Sequence, residues 1–184
     1  MYNNGYSDPM QHMMLLNILR KLWEQHIMWT RSFIISTASD LEDLPFVTKR
    51  LLQNPDDFAD VLRPFYGDDV ANQFKELLKQ HLIIAGDLVN VAKQGDTQKV
   101  NDARKRWYKN ADDIAMFLAT INPFWNQKQW QMLLYDHLKM TENEAVTRLT
   151  KAYEENVKQY DEIENEALKM ADYMYYGIVK QFFD

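Results

Sequence analysis

The chain has 184 residues, enough for one domain with a sizeable core, and its 46% hydrophobic and 26% charged residues are the balance of a globular protein. Only 5 glycines and 5 prolines argue against a loop-rich or many-stranded fold, and the lack of cysteine excludes disulfides, thiolate metal sites and a cysteine nucleophile. A formal charge of -6 repels nucleic acid and anionic lipid overall, so either partner would need a local basic patch.

The start "MYNNGYSDPM" lacks the basic and apolar segments of a secretory signal, and no apolar run approaches the length of a bilayer. The expectation is a cytoplasmic protein without a transmembrane segment. Residues 1–8 read as a flexible N-terminal segment and residues 9–184 as a single helical-bundle domain. Asp8, Pro9 and Gln11 form a helix-start signature, which predicts a first long helix from about Pro9 to about Thr37. Between Ser39 and Gly67, the residues Pro45, Pro55 and Pro64 predict a connector of short helices, with Asn54 capping one and Pro55 at its first position.

A second long helix is predicted from Asp68 or Asp69 to about Gln94, stopped by Gly95. Asp96 caps a third, which ends at "INP", and Asn126 with Gln129 caps a fourth. Thr141 and Glu144 in "TENE" resemble a further capping box, which predicts a kink or break near Met140. Beyond it a helix reaches Phe182, with Tyr153, Tyr160, Ile163, Ala167, Met170 and Met174 as its buried stripe. No stretch alternates at the strand period, and no internal repeat is read. The expected fold class is all-α: a four-helix bundle with small helices inserted after the first long helix.

Helical stepping places polar residues on the apolar seams. In the first helix His26 lies between Leu22 and Trp29. In the second His81 interrupts the line of Phe74, Leu77, Ile84 and Leu88. In the third Asn110 stands between Trp107 and Ile114, and in the fourth His137, Thr141, Glu144 and Arg148 share a face. Three of the 4 histidines therefore face inward on three helices. Neutral imidazole is the commonest metal ligand, and bundles build metal sites from inward side chains of separate helices. The candidate ligands are His26, His81 and His137, with Glu144 as a fourth and Asp113 or Glu24 in reserve. The ion would be one transition metal, zinc, iron, manganese or nickel. The plainer alternatives are histidines hydrogen-bonded within the core, and for Glu144 a capping box with Thr141 or an ion pair with Arg148.

Other features carry less. In "ARKRWYKN" Trp107 falls on the core seam and the cations on the outer face, as in an ordinary solvated helix, so no nucleic-acid partner is expected. The tryptophans of "WEQHIMWTR" and "INPFWNQKQW" read as core and corner packing. No phosphate loop, nucleophile elbow or catalytic triad order is present, and no catalytic residue is assigned.

The stretches "LWEQHIMWTRSFIIST", "DLEDLPFVTKRLLQNPDDFADVLRPFYG", "HLIIAGDLVN", "RKRWYKNADDIAMFLATINPFW" and "LYDHLKMTENEA" resemble a family of short all-helical proteins from spore-forming Gram-positive bacteria, with similarity from Leu19 to Met174. The resemblance implies the helical fold and supplies no catalytic residue. Some members carry the label acetylglutamate kinase. Those kinases are larger α/β proteins with glycine-rich phosphate-binding turns, whereas this chain has no strand pattern and no glycine loop to hold ATP, so that activity is not expected.

Two functional readings result. One is a metal-binding bundle, similar in architecture to ferritin-like, hemerythrin-like or damage-inducible three-histidine bundles. The other is a cofactor-free structural or protein-interaction protein, associated with sporulation or the envelope, acting through a protein partner or as a homo-oligomer.

Overall fold

Six helices carry nearly all of the chain in the computed structural model, which describes residues 9–183: α1 (Pro9–Ala38), α2 (Leu44–Leu51), α3 (Asn54–Lys93), α4 (Thr97–Ile121), α5 (Gln127–Leu149) and α6 (Tyr153–Phe182). The flexible segment expected at 1–8, with its Asp8 cap, lies outside the described residues. Among the described residues there is no strand, and no helix is long and apolar enough to cross a membrane. The all-α bundle with small helices after α1 is therefore the architecture that forms.

Local chemistry accounts for the starts of α4 and α5 and for the end of α3. Asp96 caps α4 by accepting from the backbone N–H of Lys99 at 3.0 Å, and Asn126 caps α5 by accepting from that of Gln129 at 3.1 Å. Gly95 ends α3 in the left-handed region at φ 75°. Pro64 lies inside α3, and the real discontinuity comes at Gly67, whose φ of 79° and ψ of 176° divide that helix into two rods, 54–66 and 68–93.

The break expected near Met140 is absent. α5 runs unbroken through it, because the Glu144 carboxylate that a capping box would need is held by Arg31 on α1. The chain turns instead at 150–152, where Lys151 takes a φ of 62°, and α6 becomes a separate long rod.

Helix directions alternate around the bundle. α1, residues 68–93 and α5 run parallel: Lys93 bonds Asp40 and the Thr37 carbonyl, and Arg148 reaches Ser39. Residues 54–66, α4 and α6 run the other way, as the pairs His26–Asn54, Asp87–Arg106 and Arg20–Asp172 require. The result is three antiparallel hairpins: α1 with 54–66, 68–93 with α4, and α5 with α6.

These hairpins are three versions of one unit, a correction to the absence of repeats in the sequence reading. Around the histidines the segments "LRKLWEQHI", "FKELLKQHL" and "WQMLLYDHL" share a register. Leu19, Phe74 and Trp130 are buried at its first position, Trp23, Leu78 and Leu134 at its fifth, and Ile27, Leu82 and Leu138 at its last. On the returning helices "NPDDFADVL", "NADDIAMFL" and "EALKMADYM" align, burying Phe58, Ile114 and Met170, then Ala59, Ala115 and Ala171, then Leu62, Leu118 and Met174. The recurring alanine lets the returning rod approach closely, and the large residue beside it fills the centre. Short α2 sits outside the scheme and covers the end of α1, Val47 and Leu51 packing with Phe33 and Ile34.

Candidate metal centre

The three parallel rods each bring one imidazole to the middle of the bundle. His26, His81 and His137 are 1–2% exposed, and their ring centroids are separated by 6.2, 5.5 and 6.1 Å, close to an equilateral triangle. One ligand nitrogen from each can be chosen such that all three lie within 4.8 Å of one another. The inward seams of the sequence reading thus converge on one point.

Each ring has a polar neighbour on the returning helix of its own hairpin. His26 Nδ1 is 3.0 Å from Asn54 Oδ1, 28 residues later, and His81 Nδ1 is 2.9 Å from Asn110 Oδ1, 29 residues later. The amide orientations are fixed by their other ends: Asn54 Nδ2 donates to the Leu22 carbonyl and Asn110 Nδ2 to the Leu77 carbonyl, both at 3.1 Å. Leu22 and Leu77 each stand one turn before the histidine, so the two clamps are the same device. With the amide oxygen facing Nδ1, that nitrogen carries the proton and donates, and Nε2 is left with its lone pair. Nε2 is then the nitrogen offered to a metal, and the outer hydrogen bond holds ring and tautomer.

In the third hairpin the equivalent position is Glu166, whose Oε2 lies 3.6 Å from His137 Nδ1. The carboxylate is buried, and among the described residues neither of its oxygens nor His137 Nδ1 has a hydrogen-bond partner.

Electrostatics keep two of the rings neutral. Burial, with His137 close by, pushes the His26 imidazole down to about 3 against the opposing bond from Asn54. Burial first, then His137 and His26, push His81 well below its ordinary range. Only the neutral form of imidazole binds a metal, and burial leaves these two rings in that form.

Glu144 does not join the cluster. Although buried, it accepts from Arg31 Nη1 at 2.5 Å, and Arg31 also stacks over Tyr160, 4.8 Å from its centroid. The ion-pair partner is thus Arg31 and not Arg148. Burial raises the Glu144 carboxyl above its ordinary range, and the Arg31 bond opposes that shift. The reserves fall elsewhere: Asp113 pairs with Lys109 on the outer face of α4, and Glu24 is exposed. His12 meets Tyr175 and Phe183 at the far end of α1.

Asn54, read as a cap, makes no capping bond, because its side chain is committed to His26 and Leu22. Asn110 was visible as the polar member of its seam. Glu166 carried no flag, and only its distance of 29 residues from His137, matching Asn110 and His81, points to it. One turn beyond the histidines, Thr30, Ala85 and Thr141 wall a small apolar cavity of about 10 Å³ together with Trp107. Three of the four cations of "ARKRWYKN" are paired, Arg104 with Glu142, Arg106 with Asp87 and Lys109 with Asp113, and Lys105 is exposed.

No protein-family model, curated protein or solved structure matches the chain. The site is therefore read from its own geometry.

Proposed function

We propose that this protein binds one transition-metal ion through Nε2 of His26, His81 and His137. The observation that carries the reading is the convergence of three buried imidazoles, two of them held by matching amide clamps that protonate Nδ1 and leave the Nε2 lone pair without a proton. Three imidazole ligands suit zinc, iron or nickel better than manganese, which prefers oxygen ligands. Bonds of about 2.0–2.1 Å to a tetrahedral ion require nitrogens roughly 3.3 Å apart, so binding draws the three rings inward. Three protein ligands leave one position open, where such an ion polarises bound water or another small ligand. Glu144 is not part of the ligand set in this reading.

The test is elemental analysis of protein purified without an affinity tag, alongside thermal unfolding with and without chelator. One metal per chain, lost in His81→Ala, with a lower Tm in chelator, is the expected result. No metal and no chelator effect would reduce the three imidazoles to a polar layer of a cofactor-free structural protein.

A further inference from the structure

The threefold repeat singles out the residue that departs from it. Asn54 and Asn110 each accept from an imidazole and donate to the carbonyl one turn before it. Glu166 occupies the same place opposite His137, but an ionised carboxylate cannot donate to that third carbonyl. An asparagine there would complete the clamp, so carboxylate in this position gives up a hydrogen bond.

It is also costly. Glu166 is 6% exposed, and both of its oxygens lack hydrogen-bond partners among the described residues. Lys139 and Lys169 line the same groove between α5 and α6 as Glu166, yet both are exposed and neither pairs with it, while Arg31 is taken by Glu144. A buried carboxylate without a cation destabilises the fold unless something supplies the missing positive charge. Among the described residues, the one basic group within 4.0 Å of it is the outer nitrogen of His137, a candidate metal ligand.

We infer that Glu166 is a positioning residue for the metal: its carboxylate accepts from His137 Nδ1 when Nε2 is coordinated, so that the charge it lacks in the metal-free bundle arrives through the imidazole. This rests on the metal reading above. The arrangement is a carboxylate–histidine–metal relay in one hairpin beside amide–histidine–metal relays in the other two, which makes His137 the strongest donor of the three and offsets part of the ion's charge. The ring moves inward on coordination, so closing the 3.6 Å gap requires the Glu166 side chain to follow it.

The experiment is titration of chelator-treated full-length protein with cobalt(II), followed by its visible absorption, with Tm of the metal-free form measured in parallel. The variants are Glu166→Asn, which copies the other two hairpins, and Glu166→Gln, which preserves length and reads the same way if the first does not fold. Both are expected to weaken cobalt binding by about 10- to 100-fold and to alter the visible bands, while the metal-free Tm stays level or rises. Wild-type affinity in the variants overturns the inference and leaves the metal reading intact. A metal-free Tm that falls with the affinity makes Glu166 merely structural and also overturns it. Absence of saturable cobalt binding in the wild type, as expected only for His81→Ala, overturns the metal reading and this inference with it.

Discussion

Asn110 grips His81 and the helix that carries it: the amide oxygen lies 2.9 Å from Nδ1, and the amide nitrogen donates at 3.1 Å to the carbonyl one turn earlier. Asn54 repeats this on His26. Asn110→Ala removes both bonds and strands a buried imidazole N–H, for a loss of about 1–3 kcal/mol in the metal-free protein. Metal affinity should fall about 10- to 100-fold, because the ring loses both orientation and tautomer. Urea unfolding and zinc competition titration measure the two effects, and wild-type zinc affinity in Asn110→Ala would show that the clamp serves the fold alone.

Glu144 separates a ligand from an ion pair. Its partner Arg31 keeps 18% of its side-chain surface while the glutamate keeps 2%, so losing the arginine leaves an almost fully buried carboxylate uncompensated. Arg31→Met should destabilise by roughly 3 kcal/mol, the lower end for a broken buried pair because the arginine is partly solvated. Glu144→Gln should cost less and keep one metal per chain. If Glu144→Gln abolishes metal binding without unfolding, Glu144 belongs to the ligand set after all.

The reach of the sequence follows from what each signal depends on. Caps at Asp96 and Asn126 and the glycine stop at Gly95 are local, so α4, α5 and the end of α3 were legible. Histidines on apolar seams were legible too, because a helix fixes which residues share a face, and convergence needed only that those faces be buried. The "TENE" signal failed through a contact 113 residues away, since Arg31 claims the glutamate that a cap would use. The misreading of Asn54 has the same origin: a good cap residue was recruited by His26. The repeat was hidden because its units share burial pattern more than identity, and because Glu166 replaces asparagine at the position that would have matched the units most plainly.

Gly177 supports this corner of the bundle by having no side chain. A Cβ there would fall inside the Trp125 indole, whose Nε1 donates to the Tyr173 carbonyl at 3.1 Å. Trp125 in turn meets Trp130 edge-on at 5.9 Å, seven residues before His137 on the way into α5. Gly177→Ala must displace a large buried ring, and a loss of about 1–3 kcal/mol or more is expected from overpacking. Thermal unfolding checks it. A Tm equal to wild type would mean that α6 can shift to relieve the clash.

Acid should unfold the metal-free bundle through its own site. The folded His26 imidazole titrates at about 3 against an ordinary 6.5, and His81 is depressed in the same direction. The unfolded chain therefore takes up protons below about pH 6.5 that the folded chain refuses. For a depressed group, the stability is fully present above the unfolded value and is lost as pH falls toward the folded one. Each such proton contributes a slope of about 1.4 kcal/mol per pH unit, so the two rings together give up to about 2.8 kcal/mol per pH unit. Denaturant melts at pH 7, 6, 5 and 4 should show this decline, and His26→Gln should flatten it by roughly one proton's share. Saturating zinc should move the acid transition to lower pH, because a coordinated Nε2 must release the metal before it can take the proton. Identical pH slopes in wild type and His26→Gln would mean that the folded ring takes up its proton without cost, and would remove the electrostatic basis for Nε2 as a ready ligand.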